Sequence, residues 1–364
     1  LAGGTVQAAL AEINTILNRV NTVYGRDAGI QFSLESNNDL IIFLDGSSDP
    51  YTNGNTGAMI SENPGVLNTI IGAPNFDIGH VLGTNAGGLA SLGVVCNDFA
   101  KAEGVSCRFG NFFGFNFYII VSHEIGHQFS AQHTFNNCEG NENAGTGFEP
   151  GSGNTIMGYS GAGCALWNQA VGDPYFHVNS LEAIQGYSRG VNGKSCALES
   201  NAFNTPPEAI IPFEGGFFIP RKTPFELEGI GLDMDDDSLT YTWEQYDLGI
   251  QVPPGQEPLS IYSDPPSFKF FPPVPTPVRI CPSIERVVDN DYSNRLEFLP
   301  DSAREFTWRF TVRDNAGSGA GSDWAQVKFQ VADNAGPFRV SLPDTQSTLS
   351  WVAGQEVPVE WQVA

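Results

Sequence analysis

The sequence predicts an α/β domain followed by an all-β domain of the immunoglobulin-like sandwich type. In the first 200 residues, stretches with helical spacing of apolar residues alternate with short strand-like runs, as an α/β domain requires. After the proline-containing linker at 204–207, short alternating strands are separated by Pro, Gly and Asp. We therefore expect domains at 1–203 and 204–335, with 336–364 as the partial start of a further β-domain.

The first domain is expected to begin with an amphipathic helix, because apolar residues recur at helical spacing over residues 6–23. Two strand-like runs follow at 30–34 and 40–44. A second helix is predicted at 62–71 and a further strand at 76–82. This mixture of helices and strands is typical of an α/β domain.

The second domain is predicted from three runs in which apolar and polar residues alternate. They lie at 239–244, 306–312 and 326–331. Such alternation places one face of a strand in a core and the other in solvent. A helix is also expected to close the first domain, with Asn179 as its cap and Glu182 at the third helical position.

The most specific motif lies at residues 123–133, which read H-E-x-x-H-x-x-S-x-x-H. On a helix, His123 and His127 share one face, and a turn after the helix returns His133 toward them. Three neutral imidazoles leave the fourth position of a tetrahedral zinc ion open, as catalysis requires. Glu124 is then placed to act as general base on a metal-activated water. The alternative, a helix with surface histidines, is disfavoured by the third histidine at this spacing.

A methionine follows this motif, at Met157 in the sequence T-I-M-G-Y. Together with the histidines, it resembles the metzincin superfamily of zinc peptidases, in which a tight turn carrying a Met packs beneath the metal-binding residues. Methionine suits such a place because it is apolar, flexible and polarizable. Taken alone, Met157 would be interpreted as an ordinary core residue.

Within the metzincins, the chain is most similar to the reprolysin-like (adamalysin-related) secreted bacterial peptidases. Further stretches carry this resemblance at residues 87–90, 93–96, 134–136, 149–153 and 173–177. The resemblance implies an α/β metzincin catalytic domain that hydrolyses peptide bonds. It also implies that a peptide substrate adds as a strand to an edge of the sheet, which we place in the region 77–93.

Two residues depart from the family pattern. Ser130 stands where the usual motif has Gly, whose freedom at positive φ lets the backbone leave the helix. A serine in that conformation costs on the order of 1 kcal/mol, which is tolerable. Tyr159, two residues after Met157, resembles the astacin and serralysin branches, where the phenol assists catalysis. A core tyrosine with a satisfied hydroxyl is the alternative, and the sequence leaves both open.

Two acidic clusters are candidates for calcium, which carboxylate and carbonyl oxygens bind. The first comprises Glu139, Glu142 and Glu149 in a loop rich in Asn and Gly, for which a solvated loop is the alternative. The second comprises Asp233, Asp235 and Asp237 at alternate positions, for which a plain acidic turn is the alternative.

Six cysteines with no C-x-x-C pair indicate disulfides and an oxidising compartment, with free buried thiols as the alternative. Fifteen full pairings are possible, and spacing alone selects none. Cys96–Cys196 is expected because it resembles the reprolysin cysteines that tie the end of the domain to its body. Cys138–Cys164 would brace the loop and the Met-turn. Cys107–Cys281, the remaining pair, would join the two domains.

The net charge of −24 disfavours nucleic acids and anionic membranes as partners. No polybasic segment, signal peptide or transmembrane run is present, and the first residue is leucine. We therefore expect a processed, secreted, extracellular protein. We further expect a monomer that acts on protein or peptide substrates.

The function predicted is that of a secreted zinc-dependent endopeptidase in which Glu124 is the base and Tyr159 assists. One alternative is an adhesin or polymer-binding protein with a vestigial peptidase fold, which the presence of Glu124 argues against. The other is a structural zinc site. Structural sites are usually closed by four protein ligands, and no fourth Cys or His lies near enough in sequence to suggest closure.

Overall fold

A computed structural model describes residues 4–84, 87–108, 116–138, 140–161, 163–251, 264–292, 296–343 and 350–363. We refer to residues up to 203 as the N-terminal region and to residues 204–335 as the β-rich region. Among the described residues, no helix has the length and apolar character needed to cross a bilayer.

The N-terminal region begins with the long helix α1, Val6–Ala28. The side chain of Thr5 caps its first turn by accepting a hydrogen bond from the backbone N–H of Ala8 at 3.2 Å. The helix ends at Gly29, whose φ of 67° is left-handed. It is therefore five residues longer than the apolar pattern predicts, since that pattern ends at 23.

The two strands expected at 30–34 and 40–44 are wrong. The first stretch is irregular, because the side chain of Asn21 in α1 takes both backbone groups of Phe32, accepting from its N–H at 2.7 Å and donating to its carbonyl oxygen at 2.8 Å. Those groups are then not available to a sheet. In the second stretch, a 3₁₀ helix occupies Asn38–Ile41 instead.

A small mixed sheet lies beyond the second helix, α2, Thr56–Ile70. Its strands are β1, Val81–Thr84; β2, Gly88–Ala90; and β3, Gly104–Arg108. The order is β1–β3–β2, with β1 parallel and β2 antiparallel to β3. Strand β2 therefore lies at an edge of this sheet.

Two more helices complete this region: α3, Phe117–Gln128, and α4, Val178–Arg189. Helix α3 is almost wholly buried and packs with α1, α4 and the segment around Met157 in one apolar cluster. The cap of α4 is His177 and not Asn179, because the His177 ring accepts a hydrogen bond from the N–H of Asn179 at 3.3 Å.

The strands of the β-rich region are β4, Glu208–Ile210; β5, Phe218–Pro220; β6, Phe225–Glu228; β7, Ile230–Leu232; β8, Thr240–Gln245; β9, Val278–Cys281; β10, Arg304–Arg313; and β11, Ser322–Ala332. They form one four-stranded sheet in the order β5–β11–β10–β8 and two two-stranded sheets, β4–β7 and β6–β9. A short helix α5, Ile284–Asp289, follows β9. Aromatic residues such as Phe306, Trp308 and Phe329 fill the core. The last strands, β12, Arg339–Leu342, and β13, Glu360–Gln362, pair with each other.

Two disulfides join Cys96 to Cys196 and Cys138 to Cys164. The third pairing expected, Cys107–Cys281, is wrong, because both cysteines are free and buried. Cys107 packs with apolar side chains beside the N-terminal sheet, whereas Cys281 belongs to the core of the β-rich region. Each thiol is therefore enclosed in a different core.

Candidate metal centre

Helix α3 and the turn after it bring three histidines together. His123 and His127 lie on one face of the helix, one turn apart. The chain leaves the helix at Ser130, whose φ is 74°, so serine adopts the left-handed conformation for which the family uses glycine. The N–H of Ala131 closes this turn on the carbonyl oxygen of Gly126 at 2.9 Å. His133 then faces the first two rings.

The Nε2 atoms of the three rings form a nearly equilateral triangle. The distances are 3.1 Å between His127 and His123, 3.1 Å between His127 and His133, and 3.3 Å between His123 and His133. In tetrahedral zinc sites, Zn–N bonds of about 2.0–2.1 Å place two ligand nitrogens roughly 3.4 Å apart. The triangle therefore has the size that a zinc ion needs.

The other nitrogen of each ring shows which way the lone pairs point. Each Nδ1 lies 2.7 Å from a backbone carbonyl oxygen: that of Ile156 for His123, that of Ala131 for His127, and that of Asn141 for His133. A carbonyl oxygen only accepts, so each Nδ1 carries the hydrogen. In neutral rings, all three Nε2 lone pairs then converge on one point. A cation between them makes this arrangement favourable, and carbonyl partners of this kind commonly orient metal-bound histidines.

Burial keeps these rings neutral. It lowers the pKa of His123 well below its ordinary value, lowers that of His127 to about 4, and also lowers that of His133. The neighbouring rings add to the effect on His123 and His127. Neutral imidazole is the form that binds a metal. The same burial raises the pKa of the Glu124 carboxyl to about 8.

Glu124 lies directly against the edge strand β2. A Cβ atom added at Gly88 would overlap the side chain of Glu124, so only glycine allows the strand to pass this close. Leu89, the next residue, is exposed on this strand. The carboxylate and the sheet edge are therefore adjacent, as the placement of a substrate wall within 77–93 requires.

The turn at Met157 packs beneath α3. The side chain of Met157 is fully buried, and a Cβ atom at Gly126 would be 2.7 Å from its sulfur. The preceding residue, Ile156, supplies the carbonyl oxygen that His123 uses. The turn thus contacts both the helix and the first ring.

Tyr159 lies beside the histidines. Its ring centroid is 4.7 Å from that of His133 and 5.7 Å from that of His123. Its hydroxyl accepts a long hydrogen bond, 3.4 Å, from the side chain of Asn141. Burial, and then the charge of Glu124, raises the pKa of this phenol to about 12. The disulfide Cys138–Cys164 spans the loop that carries Asn141 and the segment that follows Tyr159.

The acidic residues of the loop before the Met-turn do not form one cluster. Glu149 is fully buried, and its oxygens accept four hydrogen bonds, from the hydroxyls of Thr134 and Thr155 and from the backbone N–H groups of Asn154 and Thr155. Its expected role in binding calcium is therefore wrong, because no oxygen lone pair is left for a cation. Glu142 accepts hydrogen bonds from the backbone N–H groups of Cys138 and Gly140. Glu139 lies outside the described residues.

Asp233, Asp235 and Asp237 do come together. Their ligand atoms lie within 4.8 Å of one another, in the turn between β7 and β8. Besides the three histidines, this is the second group of potential ligands among the described parts of the chain. Asp233 also accepts hydrogen bonds from the N–H groups of Asp235 and Asp237, a pattern that orders the turn without an ion.

Several residues of the site carry no signal in the sequence. Ile156, Ala131 and Asn141 act through backbone carbonyl oxygens, which every residue has. Gly88 could have been singled out only by knowing that Glu124 packs against it. The ligands themselves are predictable because their spacing is local.

Comparison with known proteins gives one result. Residues 10–134 match the family described as Metallo-peptidase family M12B Reprolysin-like. The match begins within α1 and ends one residue after His133, so it includes all three histidines and Glu124. No curated protein and no solved structure matches the chain. The resemblance to reprolysin-like metallopeptidases that the motifs indicate is thereby confirmed for residues 10–134.

Proposed function

We propose that the protein is a secreted zinc-dependent endopeptidase. The observation that carries the proposal is the convergence of the three Nε2 atoms, which lie within 3.3 Å of one another. Glu124 directly follows the first of these histidines in α3. No Cys, Asp or Glu joins the three histidines in that group among the described residues. This supports an open catalytic site over a closed structural one.

His123, His127 and His133 would hold the zinc ion through Nε2. When bound, zinc supplies Lewis acidity for the hydrolysis of a peptide bond. Glu124 accepts the proton of the attacking water and then delivers it to the nitrogen of the leaving amine. Its buried position shields the carboxylate from competing solvent.

A peptide substrate would bind along β2. Among the described residues this strand pairs with β3 alone, so its other edge can hydrogen-bond to an extended peptide. The close contact between Gly88 and Glu124 would place the scissile bond beside the base.

Tyr159 is proposed to stabilise the oxyanion that forms on the scissile carbonyl. Its position beside His123 and His133, and a pKa of about 12 that keeps the hydroxyl protonated, support this role. We also propose that Asp233, Asp235 and Asp237 bind calcium, supported by their mutual distance.

Secretion is supported by the two disulfides and is compatible with the lack of a membrane-spanning helix among the described residues. The domain limits 1–203, 204–335 and 336–364, the sandwich topology of the second domain and a monomeric state remain predictions. An adhesin with a vestigial peptidase fold remains the rival function, and it would not need Glu124.

The proposal is tested by Glu124→Gln, which keeps the size of the side chain but cannot accept a proton. The variant should bind zinc through the unchanged histidines and lose hydrolysis of an unstructured protein such as casein by orders of magnitude.

A further inference from the structure

The β-rich region is in intimate contact with the part of the N-terminal region that supports the three histidines. Arg313 of β10 and Asp27 at the end of α1 form an ion pair with a distance of 3.0 Å, and both side chains are fully buried. Both side chains also form hydrogen bonds with the backbone of Phe176. Arg313 donates to its carbonyl oxygen at 3.0 Å, and Asp27 accepts from its N–H at 2.9 Å. Phe176 lies between the Met-turn and α4, so the interface fixes that segment from both sides.

Aromatic rings from the two regions stack against one another next to this segment. His177 lies almost parallel to Phe270 of the β-rich region, with ring centroids 4.8 Å apart. Phe148 of the N-terminal region stacks on Tyr246 of the β-rich region at 4.1 Å. His177 and Phe270 are fully buried. The two regions thus share a core here, whereas a flexible linker between separate modules would leave these rings exposed.

Asn154 connects this shared core to the backbone segment that orients the His123 ring. The side-chain amide of Asn154 donates to the carbonyl oxygen of Phe270 at 2.9 Å and to the carboxylate of Asp173 at 2.8 Å. Asn154 stands two residues before Ile156, whose carbonyl oxygen accepts the Nδ1 hydrogen of His123 at 2.7 Å. A shift at Asn154 would therefore move the acceptor that orients the His123 ring.

We propose that the β-rich region is part of the apparatus that positions His123, and that Asn154 is the positioning residue through which it acts. The inference rests on the proposed function, because it takes the three histidines to be the metal site. Residues that orient a metal-bound histidine typically change metal affinity when they are lost, even though they do not touch the metal. A region that served only as a spacer or a binding module would not have that effect.

The test measures zinc affinity in the full chain by competition with a chromogenic chelator, together with the melting temperature of the metal-free protein. Asn154→Leu keeps the volume of the side chain but removes both donated hydrogen bonds. We expect it to weaken zinc binding about ten-fold. Asn154→Ser is a milder change, because a serine hydroxyl can donate only one hydrogen bond. It should also weaken zinc binding, and it replaces the leucine variant in the test if that variant does not fold.

The matched control is Glu182→Gln. Glu182 of α4 contacts Arg309 and Tyr246 of the β-rich region but does not touch the Met-turn. The Glu182→Gln variant should have a lower melting temperature and an unchanged zinc affinity. If the Asn154 variants behave like Glu182→Gln, the interface is purely structural and the inference is overturned. Zinc binding that is indifferent to His123→Ala would instead defeat the proposed function, so the two failures are distinguishable.

Discussion

Three imidazole rings are held in one orientation by three backbone carbonyl oxygens, and that detail decides what the site can do. The motif at 123–133 predicted which side chains meet. It could not predict that Ile156, Ala131 and Asn141 would fix the tautomer of each ring, because a backbone acceptor has no residue preference. The burial of Glu124 against Gly88 is also invisible in the sequence.

Tyr159→Phe tests whether the phenol takes part in catalysis. If its hydroxyl stabilises the oxyanion only in the transition state, the variant should lower kcat by about 100- to 1,000-fold with little change in KM. Steady-state kinetics on a peptide substrate measure both constants. An unchanged kcat would make Tyr159 a packing residue that lies against Phe135 and His133.

Strands were predicted best where apolar and polar residues alternate and no side chain binds the backbone groups that form the sheet. The alternating runs at 306–312 and 326–331 lie inside β10 and β11, which pair over ten residues each. The run at 30–34 failed because Asn21, eleven residues before Phe32, occupies the backbone groups that a strand would use. Such hydrogen bonds from a side chain to the backbone depend on how the chain folds back on itself. The local alternation of apolar and polar residues does not reveal this.

The turn between β7 and β8 tests the calcium proposal. Calcium bound to Asp233, Asp235 and Asp237 would favour the folded state by mass action, so adding it to metal-stripped protein should raise the melting temperature. Asp235→Asn, which removes the most exposed of the three charges, should reduce that increase. If calcium produces no shift in the unaltered chain, the three carboxylates form only an acidic turn.

The contact between the two regions depends on buried charges far apart in sequence. Asp27 and Arg313 are separated by 286 positions, and Glu244 of β8 accepts a hydrogen bond from Val178 at the start of α4. No local pattern marks such pairs, because each residue would be interpreted as a surface charge. The sequence therefore predicted strands of the β-rich region, but not the polar core that this region shares with the N-terminal region.

Glu244 should make stability depend on pH. Burial raises the pKa of its carboxyl from 4.5 to about 7, although Arg313 opposes the shift. Between these values the folded protein holds a proton that the unfolded chain has released. The free energy of unfolding should therefore fall as the pH rises from about 4.5 to about 7, by on the order of 3 kcal/mol.

Glu244→Gln removes this titration while it keeps an acceptor for Val178. The variant should be more stable than the unaltered protein above pH 7, and the difference should shrink toward pH 4. Denaturant unfolding at several pH values measures it, with Glu226→Gln, at an exposed position of β6, as the control. A difference that does not change with pH would contradict the raised pKa.

The most direct measurement compares zinc content and casein hydrolysis in the unaltered protein and in Glu124→Gln, each before and after treatment with a chelator. The unaltered protein should carry one zinc ion per chain at His123, His127 and His133, hydrolyse casein, lose activity with the chelator and regain it with zinc. Glu124→Gln should carry the same zinc and show almost no hydrolysis. Full activity in Glu124→Gln, or activity that survives the loss of zinc, would contradict a zinc peptidase that uses Glu124 as its base.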